Sequence, residues 1–155
     1  MEKIESFKVN HLHLKEGLYL SRRDEKDGVA VTTFDLRFTR PNQTPPMDNA
    51  AIHTVEHLGA TYLRNSDRAS DVVYFGPMGC RTGFYLVMFG SLQPCDVEEL
   101  VCDMCRFVLR FDGQIPGATA AECGNYSEQN LSLAKYYVQN YLDQLQKHRR
   151  FVYPQ

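Results

Sequence analysis

Two apolar runs, Val72 to Phe75 and Phe84 to Phe89, are separated only by Gly76-Pro77-Met78-Gly79-Cys80-Arg81-Thr82-Gly83. A parallel pair of strands needs a crossover of about a dozen residues or more, so this link allows only an antiparallel hairpin. The first forty residues carry the same strand signature. Phe7, Val9 and His11 alternate, Leu18 and Leu20 follow, and Val29, Val31, Thr33 and Asp35 alternate with Ala30, Thr32, Phe34 and Leu36. Lys26-Asp27-Gly28 is a hairpin turn, because Asp-Gly tolerates the positive φ a tight turn requires. Pro41, Asn42, Pro45 and Pro46 then interrupt the chain ahead of a helix over about 50–65, with Asp48 or Asn49 as its N-cap. Pro94 opens a second helix whose stripe, Val97, Leu100, Val101, Met104 and Val108, has helical spacing until Gly113 stops it. A last helix, from about Ser127 to Lys147, carries Leu131, Ala134, Val138, Tyr141 and Leu145. The expected fold is α+β: a mainly antiparallel sheet packed against helices in a single small domain over 1–155.

Lys and Arg total 17 against 19 Asp and Glu, a formal net charge of −2, which argues against nucleic acid or an anionic membrane as partner. The apolar run at residues 84–89 is far below the ~20 residues of a membrane-spanning helix. The N-terminus, Met-Glu-Lys-Ile-Glu-Ser, is charged where a secretory signal is apolar, and five cysteines do not form a complete set of disulfides. The expected location is the reducing cytoplasm, where thiols serve as core filler, metal ligands or nucleophiles.

His53-Thr54-Val55-Glu56-His57 is the densest group of chemically capable side chains. At 100° per residue, His57 lies about 40° from His53, Glu56 about 60° to the other side, and Ala60 and Arg64 about 20° away, all on one stripe. Two imidazoles one turn apart can hold one metal ion, with Glu56 close enough to act on a bound molecule. Ile52, Val55, Leu58, Gly59, Tyr62 and Leu63 form the opposite face, which would anchor the helix to a core. The strongest third ligand is Cys123, in a small-residue segment; Glu122 is the alternative, and would suit a peptidase of the H-x-x-E-H type. A His, His, Cys set suits divalent iron, cobalt or zinc. Cys80, between Gly79 and Gly83 and beside Arg81, has the setting of a working thiolate if that guanidinium turns inward. Cys95, Cys102 and Cys105 read as packing residues.

Taken together, His11, Phe34-Asp35-Leu36-Arg37-Phe38, Arg40-Pro41-Asn42, His53-Thr54-Val55-Glu56-His57, Pro77-Met78-Gly79-Cys80-Arg81-Thr82-Gly83 and Cys123-Gly124-Asn125-Tyr126 resemble the S-ribosylhomocysteine lyase (LuxS) family from about Ser6 to the last helix. The resemblance implies a homodimer with active sites at the subunit interface and one divalent metal per subunit, Fe(II) ahead of Zn or Co. It puts the metal on His53, His57 and Cys123, acid/base catalysis on Glu56 and Cys80, and substrate contacts on Ser6, His11, Arg37 and Arg64. The implied reaction converts S-ribosylhomocysteine to homocysteine and 4,5-dihydroxy-2,3-pentanedione, the precursor of autoinducer-2, a quorum-sensing signal. One departure stands out: the family carries an acidic residue ahead of its Pro-Met-Gly-Cys, where this chain reads Val73-Tyr74-Phe75-Gly76. An acid there would suit the homocysteine amine, and Tyr74 does not supply its charge.

The residue types suit that chemistry. The carbon–sulfur bond of the aldose is not adjacent to a carbonyl, so two proton-transfer isomerisations must bring the carbonyl along the ribose before β-elimination can occur. A metal would supply a Lewis acid, and Cys80 and Glu56 would move the protons. Two other readings are an H-x-x-E-H zinc metallopeptidase, which would be indifferent to Cys80, and a non-enzymatic metal-stabilised binding module with a closed coordination sphere.

Overall fold

Alternation and turn chemistry set the sheet. β1 (Gly17–Lys26) and β2 (Val29–Arg37) form the expected hairpin, with Asp27 at φ 52° and Gly28 at φ 79° in the two-residue turn. β3 (Val72–Pro77) and β4 (Gly83–Phe89) form the second, and β4 pairs with β2. The order is β1-β2-β4-β3 with every neighbour antiparallel, and for β3 and β4 the short link after Phe75 requires it. The computed structural model describes residues 2–154, and the backbone alone of Glu5 and Ser6.

Three helices, α2 (Asn49–Leu63), α3 (Pro94–Arg110) and α4 (Leu131–His148), cover one face of the sheet. Phe34, Leu36, Leu86 and Met88, all with no accessible surface, share one core cluster with Val55 and Leu58 of α2, Val101 of α3 and Val138 of α4. On the opposite face Val29, Tyr74 and Phe89 are exposed, and Thr33, Tyr85 and Val87 are half-buried. Two charged residues on that face are nevertheless buried: Asp35 is 1% exposed and Arg37 3% exposed, paired at 2.6 Å. The C-terminal segment covers them. Tyr153 stacks on Tyr19, which lies opposite Asp35 in the hairpin, and its hydroxyl donates to Asp35 Oδ2 at 2.8 Å.

Several expectations are corrected. Phe7, Val9 and His11 do not form a strand: α1 (Glu5–Lys8) is a single helical turn, Phe7 is 70% exposed, and three alternating residues are too few to fix a period. α4 begins at Leu131 rather than near Ser127, because the Asn130 side chain caps it by accepting from Leu133 N at 3.0 Å. α3 ends at Arg110, where Phe111 turns extended, before Gly113 is reached. Cys95 is exposed rather than packed; Cys102 and Cys105 are buried as expected, and burial pushes the Cys102 thiol up to about 11 and Cys105 still higher.

Gly83 lies opposite Arg37 in the ladder, and a Cβ there would collide with the Leu36 carbonyl, whereas one on Gly79 would meet nothing. Gly83→Ala is expected to cost about 3 kcal/mol, lowering Tm by roughly 6–12 °C, and Gly79→Ala to stay within about 0.5 kcal/mol; thermal melts of both variants check this.

Candidate active site

α2 is built with two faces. The Asp48 carboxylate accepts from Ala51 N at 3.1 Å and caps the helix, and Ile52, Val55, Leu58, Gly59 and Leu63 turn into the core; Tyr62 is only partly buried. His53, Glu56 and His57 are left half-buried on the other side. His53 Nδ1 donates to the Glu128 carbonyl at 2.9 Å and His57 Nδ1 to the Pro116 carbonyl at 2.7 Å. An Nδ1 proton engaged by a carbonyl leaves the lone pair on Nε2, the tautomer a metal ligand needs.

The two Nε2 atoms lie 2.9 Å apart, and Cys123 Sγ lies 3.4 Å from His53 Nε2. All three atoms fall within 4.8 Å of one another, a spacing that one small cation can bridge. The segment before α4 delivers the thiol: Cys123 N donates to Thr119 O at 3.0 Å, and Asn130 N donates to the buried Thr54 hydroxyl of α2 at 2.9 Å. Glu122 is exposed and accepts from the Thr119 hydroxyl at 2.7 Å, outside the cluster. Two imidazole nitrogens and one soft sulfur, with the outer imidazole nitrogens already satisfied, fit divalent iron, cobalt or zinc.

Cys80 lies in the β3–β4 link, where Met78 N donates to Gly83 O and Arg81 N to Met78 O, both at 2.9 Å, and Arg81 takes φ 58°. The turn sends Arg81 away from the thiol, to Asn49 Oδ1 at 2.9 Å, so the expected influence of that neighbour is replaced by another cation. Arg37 Nη1 lies 3.9 Å from Cys80 Sγ, and the Thr82 hydroxyl lies 3.1 Å from it. Partial burial pushes the thiol up, but the Thr82 hydroxyl and N–H and the Arg37 charge outweigh it and hold Cys80 below the ordinary thiol value. The sulfur borders a cavity of about 250 Å³ that His11, Asn42 and Pro46 also line. None of His53, His57 or Cys123 lines that cavity.

The remaining site candidates are spread more widely. His11 reaches the Cys80 cavity from the turn after α1, with Nδ1 2.9 Å from the Val9 carbonyl. The Ser6 side chain lies outside the described residues. Arg37 is committed to Asp35, Thr82 and Cys80. Arg64 closes α2 and donates to the carbonyls of Val72 at 3.1 Å and Val73 at 2.9 Å, bracing the start of β3. Tyr74, 51% exposed, lies along Gly76, where any Cβ would strike its hydroxyl. Asp35, Thr82, Tyr153 and the carbonyls of Pro116 and Glu128 were given no role by sequence reasoning. Thr82 and Asp35 had a signal only in their places in the Cys80 link and in Phe34-Asp35-Leu36-Arg37-Phe38.

Residues 4–151 match the model of the family described as S-ribosylhomocysteinase (LuxS). The chain is similar to proteins named S-ribosylhomocysteine lyase. It is 49% identical over 157 residues to that of Finegoldia magna, covering 100% of both chains. It is 53% identical over 138 residues to that of Clostridium acetobutylicum, covering 88% of this chain and 87% of the relative. It is 48% identical over 157 residues to that of Borreliella burgdorferi, covering 99% and 100%.

The geometry around His53 makes a direct prediction for metal binding. Co(II) titration should give a thiolate-to-cobalt absorption band in the unaltered chain and in Cys80→Ala and Glu122→Gln, and no such band in Cys123→Ala. The affinity of Cys123→Ala should fall by about a hundredfold or more.

Proposed function

The chain belongs to the S-ribosylhomocysteinase (LuxS) family, and from that premise we propose that it cleaves S-ribosylhomocysteine to homocysteine and 4,5-dihydroxy-2,3-pentanedione. The observation that carries this reading is the pairing of a convergent His53–His57–Cys123 set with a separate thiol at Cys80 that the Thr82 hydroxyl and the Arg37 guanidinium approach. Fe(II) is the proposed ion, and when bound it supplies a Lewis acid for substrate oxygen. Cys80, as thiolate, and Glu56, as carboxylate, carry protons between neighbouring carbons until a ketone stands at C3. Loss of a proton next to that ketone then forms the carbon–carbon double bond as the carbon–sulfur bond breaks and homocysteine leaves. His11 and Ser6 are assigned to substrate; Arg64 remains a candidate contact through its exposed guanidinium edge. Arg37 is assigned to the sulfur first, since its paired guanidinium is nearly all buried.

The peptidase reading lacks its third ligand, because Glu122 is turned to Thr119. We further propose a cytoplasmic homodimer in which Cys80 of one copy faces the His53–His57–Cys123 set of the other. Two features support this. The Cys80 cavity is lined without those three residues, and the sheet face opposite the helices leaves Val29, Tyr74 and Phe89 exposed. No helix is long and apolar enough to cross a membrane among the described residues.

The test is release of free thiol from S-ribosylhomocysteine by anaerobically prepared Fe(II) protein. Cys80→Ala should keep its metal and lose about a hundredfold or more in turnover. Full activity in that variant would remove Cys80 from the reaction, and absence of thiol release from the unaltered protein would overturn the lyase reading.

A further inference from the structure

Thr82 sits between a buried cation and the reactive sulfur. Arg37 Nη1 donates to Thr82 Oγ1 at 2.6 Å, and that oxygen lies 3.1 Å from Cys80 Sγ. A hydroxyl has one proton, so an oxygen that accepts from a guanidinium directs its own proton elsewhere, here to the sulfur. The guanidinium itself stands 3.9 Å from Sγ, which makes the hydroxyl the nearer donor. Thr82 is 6% exposed, and its carbonyl accepts from Phe38 N at 2.9 Å and Thr39 N at 3.1 Å, so its backbone is clamped to the end of β2.

We propose that Thr82 is a positioning residue for proton transfer, its hydroxyl passing the Arg37 charge to the Cys80 thiolate while leaving the sulfur open to the cavity. The inference rests on the reading of Cys80 as a proton-transfer group. Polarisation along Arg37, Thr82 and Cys80 strengthens each bond in a partly buried site. It also lets Arg37 remain in its ion pair with Asp35, which a guanidinium turned fully onto the sulfur would weaken. The other titratable groups around Cys80 are His11 across the cavity, Tyr85 of β4, and Asp35 and Tyr153 behind Arg37.

The experiment is the pH profile of iodoacetamide alkylation of the full-length chain, followed on the peptide that carries Cys80. Thr82→Val should move the profile to higher pH, slowing alkylation near neutrality by roughly tenfold, while rates converge with the unaltered chain at high pH. Thr82→Ser should restore the original profile. Thr82→Ala, which asks less of the packing, should move it in the same direction as Thr82→Val. An unmoved profile in folded Thr82→Val or Thr82→Ala, or a uniform slowing at every pH, overturns the proposal. Because alkylation needs no substrate, this outcome is separate from failure of the lyase reading, which thiol release alone decides.

Discussion

The ion pair of Arg37 and Asp35 organises one half of the molecule. Both residues lie near the end of β2, a central strand, on the sheet face that the helices do not cover, and both are buried. Removing one partner from such a pair leaves an uncompensated buried charge and costs about 3–5 kcal/mol, so each neighbour is constrained to keep the pair intact. Tyr153 brings the C-terminal segment onto Asp35, and Thr82 brings the β3–β4 link onto Arg37. Burial raises the Asp35 carboxyl while Arg37 opposes the shift, so the guanidinium cannot be withdrawn without leaving that carboxylate strained. Cys80 draws on a charge already held in place.

The other half depends on helix geometry. Once the buried face of α2 is fixed by Ile52, Val55 and Leu58, the positions of His53 and His57 follow from rotation about the axis. Their outer nitrogens are held by carbonyls from Pro116 and Glu128, in the segment that carries Cys123 between them. The His53–His57–Cys123 cluster and the Cys80 thiol are therefore supported by separate parts of the fold, a helix in one case and a buried ion pair in the other.

This difference explains what the sequence could show. The convergence of His53, His57 and Cys123 was legible because helical spacing is a local property and the one soft candidate partner stood in a small-residue segment. The hairpin at Asp27-Gly28 and the Asp48 cap were legible for the same reason. The cation beside Cys80 was not: Arg81 is adjacent in sequence, but its positive φ turns it toward Asn49, and the charge arrives from Arg37 across the sheet. Pairing of β2 with β4 at Arg37 and Gly83 creates that contact, and register between strands distant in sequence is not written in either strand alone. The strand expected at Phe7 to His11 failed because three alternating residues do not fix a period, and Glu5–Lys8 closes a helical turn instead.

We propose that the two supports form one lyase site across two copies of the chain. Coexpression of a Cys80→Ala chain with a differently tagged His57→Ala chain, followed by isolation of the mixed dimer, tests it directly through thiol release. The mixed dimer has one site with both Cys80 and a complete metal set only if they come from different chains. Activity of roughly half that of the unaltered dimer, with each parental variant inactive, is the predicted result. A mixed dimer as inactive as its parents contradicts it.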